Sequence, residues 1–495
     1  MTLTWRSRAA LLVCCGTLFL GVLDGAALNL ALPSVQRDLR LSTVELQWVA
    51  TSNALVRASL TLLCGAVADR YGRRRMFRVG LLVFVAGSLL CGVAPHAPAL
   101  IAARGVQGVG GALMAPPALA LIANLFPDAL RRGRALGTWS ATAGVSAACG
   151  PLVGGVLVQA AGWRSLFAVS VAGAAVLYAG TLLLPPGVVD GPPRRLDGLG
   201  NTLAALVLVG FTFALIDGPS RGWLSGPVLV AVAVAVAAAV GYVPAARRRP
   251  DPVLDPRHLA IPALRGAVLT AVVAYLALGG FTFVNTFYLQ QVRGFSPLAT
   301  GLLTLPTTLG TLVLANVSGR IVGRHGGRLP ATVGHLSFVA SMTLLALTVT
   351  TDAGLAPLLV GYLLLGAGMG LVNPPATNTA VNSLPRERAG VASAITSASR
   401  QIGTNLGVAV LGAVVVSVLA LTGQPTDDIA RVAAEAGDDF TTALRVAYAL
   451  VAATAAYCAY ATWRLFRPPP DRPAGEEVVG IEDAPTAPPT ATPAR

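Results

Sequence analysis

The stretch Gly65-Ala-Val-Ala-Asp69-Arg70-Tyr-Gly72-Arg73-Arg74-Arg75 closes an apolar run and recurs 254 positions later, as Gly319-Arg-Ile-Val-Gly323-Arg324-His-Gly326-Gly-Arg328. Gly65, Arg70, Gly72 and Arg74 keep their places in the second copy, whereas Asp69 is replaced by Gly323. A second block repeats at an offset of 258: Gly108, Gly110, Pro116, Pro117 and Pro127 return as Gly366, Gly368, Pro374, Pro375 and Pro385. Two such blocks at nearly one offset read as a duplicated design, not as a solenoid of short units.

What lies around these blocks is apolar. Of 495 residues, 54% are hydrophobic and 12% charged, with a mean hydropathy of +0.69. A soluble chain of this length needs more polar residues to cover its surface. Fourteen runs are long enough to cross a bilayer as helices. They lie near 9–31, 46–68, 77–94, 99–122, 137–159, 165–184, 199–217, 226–245, 266–289, 300–322, 331–350, 355–375, 391–420 and 443–463. The repeat then divides the chain into a six-helix half over 1–184, two inserted central helices and a loop over 185–265, and a second six-helix half over 266–467. Residues 468–495 are rich in Pro, Ala, Thr and acids without apolar periodicity, and are expected to be a disordered tail. Parallel halves of this kind build a midplane site that opens alternately to each side.

The net charge of +14 would suggest nucleic acid in a soluble protein. Here all 36 basic side chains are Arg, and they sit mainly in short loops. With the N-terminus inside, 26 arginines fall in inner loops and ends, seven in outer loops and three within the membrane. That bias puts both termini in the cytoplasm. The acidic segment with Asp427, Asp428, Glu435, Asp438 and Asp439 then lies outside. The first run lacks a small-x-small cleavage site and is expected to be the first span, not a cleaved leader. Absence of Lys, with heavy Ala, Gly and Pro usage, suggests a high-GC bacterial source and hence the inner (cell) membrane.

The 65–75 stretch resembles the loop signature of the major facilitator superfamily. Gly65 suits close helix packing, Asp69 can cap or pair near a helix end, and Arg70, Arg73 and Arg74 can bridge to the other half. The resemblance implies that this loop clamps the halves in an outward-facing state. Leu23-Asp24-Gly-Ala-Ala-Leu28-Asn29-Leu-Ala31-Leu32-Pro33 is similar to the first-helix signature of drug:proton antiporters, in which the acid lies in the transport pathway. Arg104-Gly-Val-Gln107-Gly108-Val-Gly110-Gly111 resembles the fourth-helix motif that the family links to proton transfer. Gly150-Pro151-Leu-Val-Gly154-Gly155 resembles the antiporter signature of exporters, with Ser146 where the fuller pattern has another Gly. Together with the two central helices, Leu196-Asp197-Gly-Leu-Gly200, and Arg400-Gln401 in the thirteenth run, the chain looks like a 14-helix drug:proton antiporter, all-α, over residues 9–465.

A carboxyl at bilayer depth costs about 2.5–3.5 kcal/mol on insertion scales and is rarely idle. Asp24 is therefore the proton-coupling candidate; the rival reading is a fixed salt bridge that locks helices. Arg57 and Arg104 are its natural partners, and Arg57 lies at comparable depth when residues are counted from the outer helix ends. Arg57 belongs to no family pattern. It either holds Asp24 ionised or binds an anionic substrate group. Asn29, Gln107, Asn285, Gln290, Arg400 and Gln401 are candidate cavity liners. Some members of the subfamily carry acids in helices 10 or 13 that are associated with divalent cationic drugs. Asn316, Arg400 and Asn405 stand in those helices here, which speaks against a dicationic substrate.

Other chemistries find no support. No GxxxxGK[ST] loop marks ATP, and Gly366-x-Gly368-x-Gly370 lies in an apolar helix with no strand before it. The four histidines and six cysteines show no metal-ligand spacing. No nucleophile arrangement is recognisable, so no enzyme, cofactor or metal is expected. The sequence reads as a monomeric exporter of amphipathic small molecules such as drugs or antibiotics, driven by proton exchange. Export of one endogenous metabolite or lipid, a facilitator without proton coupling, and a receptor that keeps the fold remain alternatives.

Overall fold

The structure, a computed structural model, describes residues 5–126, 129–184, 197–248, 256–384 and 389–466. Pro127, Pro385, the 185–196 boundary and the tail expected to be disordered lie outside these. Every long element is a helix: α1 (Trp5–Leu39), α2 (Thr43–Tyr71), α3 (Arg73–Gly92), α4 (Ala97–Leu125), α5 (Ala129–Ala161), α6 (Arg164–Gly180), α7 (Gly198–Arg221) and α8 (Gly226–Arg247). After α8 come α9 (Pro262–Phe287), α10 (Pro297–Leu303), α11 (Leu305–His325), α12 (Arg328–Thr348), α13 (Leu355–Asn382), α14 (Ala389–Leu421), α15 (Ile429–Glu435) and α16 (Gly437–Leu465).

Among the described residues, 13 helices are long and apolar enough to cross a membrane, and the bent α2 makes 14; α10 and α11 together form one of these spans. α2 bends by 56° between Thr61 and Leu63. The Thr61 hydroxyl donates to the Arg57 carbonyl at 2.6 Å, and such back-bonding pulls a carbonyl out of the helical ladder. α2 starts on a capping box, with Ser42 and Glu45 each closing on the other's backbone N–H. Large apolar side chains such as Val93, Val176, Val240 and Leu347 are exposed, as a lipid-facing surface requires.

The repeat has a physical cause. A Cβ at Gly110 would sit 2.5 Å from the Phe84 nitrogen and 2.8 Å from the Gly80 carbonyl of α3. Its counterpart Gly368 faces Phe338 and Gly334 of α12 in the same way, at 2.6 and 2.8 Å. Each block is thus the seam where the fourth helix of a bundle lies against the third, so only glycine fits.

α1–α6 pack on one another, as do α9–α14 with α16, while α7 bridges α2 and α14 and carries α8 on its outer side. The helices run back and forth between a face with Gly72 and a face with Arg40. One large core joins both bundles at the Arg40 face, running from Val35, Leu46 and Trp163 to Leu289, Leu419 and Phe440. Towards the Gly72 face the core splits in two. One part, with Phe77, Ile122 and Phe126, belongs to the first bundle; the other, with Leu264, Ile395 and Phe466, belongs to the second. The bundles are closed against each other at the Arg40 face and part towards the Gly72 face.

Candidate functional site

Five helices of the first bundle converge on one carboxylate. Asp24 of α1 accepts from Arg104 Nη1 of α4 at 2.6 Å, from Gln107 Nε2 at 2.9 Å and from Ser170 Oγ of α6 at 3.2 Å. Arg104 and Gln107 share a helix face because they are three residues apart. Gln107 is saturated. Its Oε1 accepts from Arg104 at 2.5 Å and from Asn53 Nδ2 of α2 at 3.0 Å, and its Nε2 also donates to Ser88 Oγ of α3 at 3.0 Å. Asp24, Arg104 and Gln107 are 5%, 2% and 0% exposed, so the pair lies out of contact with solvent. Glycines bring the helices near enough: a Cβ at Gly87 would lie 2.5 Å from the Gln107 nitrogen, and one at Gly108 would lie 2.6 Å from the Asn53 carbonyl.

Arg57 is not the partner of Asp24, although counting residues places it at similar depth. Its Nη2 donates to Asn53 Oδ1 at 2.8 Å, and its Nε is buried without an acceptor. Depth fixes height in the bilayer but not direction around the helix. α1 packs chiefly on α5, α6 and α4, so α4 supplies the guanidinium. Arg57 instead joins the cluster at second hand, through Asn53 and Gln107. It lines a cavity with Thr17, Gly21, Gly111, Met114 and Trp139.

In the conformation described here the loop arginines bond within their own bundle. Arg73 pairs with Asp69 at 2.9 Å, Arg74 donates to the Thr181 and Leu182 carbonyls at 3.2 Å each, and Arg70 lies 5.6 Å from the Tyr71 ring centre. Gly72 ends α2 at φ +99°, a conformation suited to glycine. Gly65 has no comparable need, since a Cβ there would meet Pro116 at an ordinary 3.5 Å. α5, by contrast, is wedged. Gly150 abuts Ala26, a Cβ at Gly154 would come 2.8 Å from Ala27 Cα, and one at Gly155 would come 2.8 Å from Leu298 Cα of the other bundle. The Pro151 carbonyl faces Gly301 across the same contact.

In the second bundle the repeat offset of 258 carries Arg104 to Tyr362, whose hydroxyl donates to Asn285 Oδ1 at 2.7 Å. The position that matches Arg104 is thus uncharged. Gln290, in a single π-helical turn at Tyr288–Val292, donates to the Leu30 carbonyl of α1 at 2.8 Å and so belongs to the closed face. Arg400 donates to Thr377 Oγ1 at 2.5 Å and lies 5.9 Å from the Tyr275 ring centre. Asn29 and Gln401 are half-buried. Asn53, Ser88, Ser170 and Trp139 were not singled out in the sequence. Asn53, four residues before Arg57 in an apolar run, carried a readable signal; small hydroxyls in membrane helices are too common to do so. Among the described residues no cluster of three His, Cys, Asp or Glu could hold a metal.

Comparison with known proteins agrees with this architecture. The family model of the Major Facilitator Superfamily matches residues 14–408. The chain is 36% identical over 422 residues to the multidrug resistance protein Stp of Mycobacterium tuberculosis (strain CDC 1551 / Oshkosh), covering 85% of this chain and 78% of that protein. It is 38% identical over 396 residues to the puromycin resistance protein pur8 of Streptomyces alboniger, covering 79% and 78%. The tetracenomycin C resistance and export protein of Streptomyces glaucescens is 35% identical over 397 residues, covering 80% and 73%. Among solved structures, a bacterial homologue of the human lysosomal transporter Spinster, inward-facing and occupied, superposes with a TM-score of 0.66 at 15% identity, covering 94% of this chain and 97% of that one. This chain is a multi-pass membrane transport protein of the major facilitator superfamily.

Proposed function

We propose that the protein exports amphipathic small molecules, drugs and antibiotics among them, in exchange for protons by alternating access. The observation that carries this reading is the desolvated Asp24–Arg104 pair, held by Gln107 and Ser170 beside a cavity lined by α1, α2, α4 and α5 of the first bundle. Both termini and the Gly72 face lie in the cytoplasm of a bacterial inner membrane, because most arginines stand on that side. The bundles then open inward, and the protein works as a monomer.

In this conformation Asp24 is tied to Arg104, ready for substrate from the cytoplasm. After the bundles rock, a proton from outside neutralises Asp24 and releases Arg104 towards Gln107. That rearrangement reaches Arg57 through Asn53, so the proton and substrate sites share one set of hydrogen bonds. The Gly65–Arg74 loop closes the inner face in the alternate state, where Arg70, Arg73 and Arg74 exchange their local partners for the second bundle. Gly150 and Gly154 keep α5 seated on α1, while the contacts of Pro151 and Gly155 with α10 part as the outer face opens. A proton moving down about 100 mV yields about 2.3 kcal/mol, more than the roughly 1.4 kcal/mol of a tenfold substrate gradient.

The test is substrate-induced proton release in vesicles holding the wild type or Asp24→Asn. The wild type is expected to release protons and the variant to release none while still binding substrate. Proton release by Asp24→Asn, or transport by the wild type without proton movement, would overturn the coupling.

A further inference from the structure

Three guanidinium groups lie at membrane depth, and only one has a carboxylate. Arg104 pairs with Asp24, whereas neither Arg57 nor Arg400 has a carboxylate within ion-pair distance among the described residues. A charge at this depth is expensive unless it is paired or serves a ligand. Arg57 is the sharper case. Its guanidinium borders a cavity of the first bundle with Thr17, Gly111, Met114 and Trp139 in its wall, and it is the only charged residue lining it. Gly111 makes room for it, since a Cβ there would lie 2.8 Å from Arg57 Nε.

The cavity is rich in donors and poor in acceptors. Arg57 Nε and Trp139 Nε1 are both buried with no acceptor. Leaving a buried donor unsatisfied costs about 1–3 kcal/mol, so two on one cavity are a standing demand for acceptor atoms. Thr17 offers lone pairs only, because its hydroxyl proton is committed to the Cys14 carbonyl at 2.8 Å. Asp24 does not answer the demand, since Arg104, Gln107 and Ser170 already occupy its oxygens. The remaining wall is small and apolar apart from the Trp139 ring and the Met114 thioether, which suit a flat aromatic body. Arg400, in the second bundle, does not line this cavity, although its Nε also lacks an acceptor.

We infer that the substrate is an amphipathic aromatic compound bearing an oxyanion, a carboxylate or phenolate, and that Arg57 receives the oxyanion with Trp139 alongside. The inference rests on the export reading and names the substrate's charge. It also gives Arg57 a duty separate from holding Asp24. A substrate of the opposite sign would face an uncompensated guanidinium in an apolar wall.

The experiment is equilibrium binding of three matched dansyl probes to the purified full chain in detergent: dansyl-aminohexanoate, its neutral carboxamide and dansylcadaverine. The wild type is expected to bind the carboxylate about tenfold tighter than the amide, the scale of one charge-assisted hydrogen-bonded contact, and the ammonium weakest. Arg57→Gln is expected to bring carboxylate and amide to equal affinity, Arg57→Lys to retain part of the preference, and Trp139→Phe to weaken the carboxylate alone. A wild type that binds the amide or the ammonium as tightly as the carboxylate overturns the inference, whether or not any variant folds. So does an undiminished preference in folded Arg57→Gln. No gradient is involved, so failure here leaves the proton-release assay standing, and failure of proton coupling leaves this preference intact.

Discussion

Arg104, Gln107 and Ser170 all donate to Asp24, and only Arg104 brings a charge, so removing either charge has unequal consequences. Arg104→Ala leaves a buried carboxylate with only Gln107 and Ser170 as donors, and breaking such a pair costs about 3–5 kcal/mol. Asp24→Asn/Arg104→Ala removes both charges. It is expected to melt at a higher temperature in detergent than Arg104→Ala alone, despite carrying one more substitution. If the two losses simply add, the residues do not act as a pair. Asp24 and Arg104 were readable in the sequence because charge at bilayer depth is rare enough to stand out. The identity of the pair was not fully readable. Arg57 counts to a depth comparable with that of Asp24, and only the packing of α1 against α4 decides which guanidinium arrives. Ser88 and Ser170 were invisible for a different reason, since their hydroxyls become meaningful only when three helices meet.

Glycine positions that look alike in a motif differ sharply once helices pack. Gly154 puts α5 against the Ala27 backbone, and a larger side chain there must push α1 away. Gly154→Leu is expected to destabilise the protein by about 1–3 kcal/mol and to abolish transport, by the ordinary cost of overpacking. Gly65→Ala makes only van der Waals contact with Pro116, and its melting temperature is expected to match the wild type. A lower melting temperature for Gly65→Ala would mean that α2 and α4 sit closer than described. Spans were the most legible elements, because twenty apolar residues have few alternatives in a chain this hydrophobic. Their irregularities were less so. The break between α10 and α11, the π-helical turn after α9 and the small helix α15 arise from local hydrogen bonding that hydropathy does not register. The bend in α2 falls four residues beyond Arg57, whose carbonyl accepts from the Thr61 hydroxyl.

At the scale of the whole molecule, the repeat made two bundles legible, but not which of their faces is shut. That follows from contacts between distant segments. The Gln36 side chain donates to Asp428 Oδ1 at 2.9 Å, the Thr43 nitrogen donates to the Asp427 carbonyl at 2.7 Å, and the Ile429 nitrogen donates to Thr43 Oγ1 at 2.9 Å. These bonds tie the α1–α2 turn to the segment before α15, and with Gln290 on the Leu30 carbonyl they seal the Arg40 face. If the bundles rock, all of them must part. A Gln36→Cys/Asp428→Cys protein, with its six native cysteines replaced, is therefore expected to be locked by a short bis-maleimide. Locking is expected to remove transport but to preserve equilibrium binding, because the cavity is lined by the first bundle alone and the tether does not touch it. Each single cysteine variant, treated identically, is expected to keep its transport. A tethered double variant that still transports at the untreated rate would mean the Arg40 face never opens, and that substrate leaves by another route.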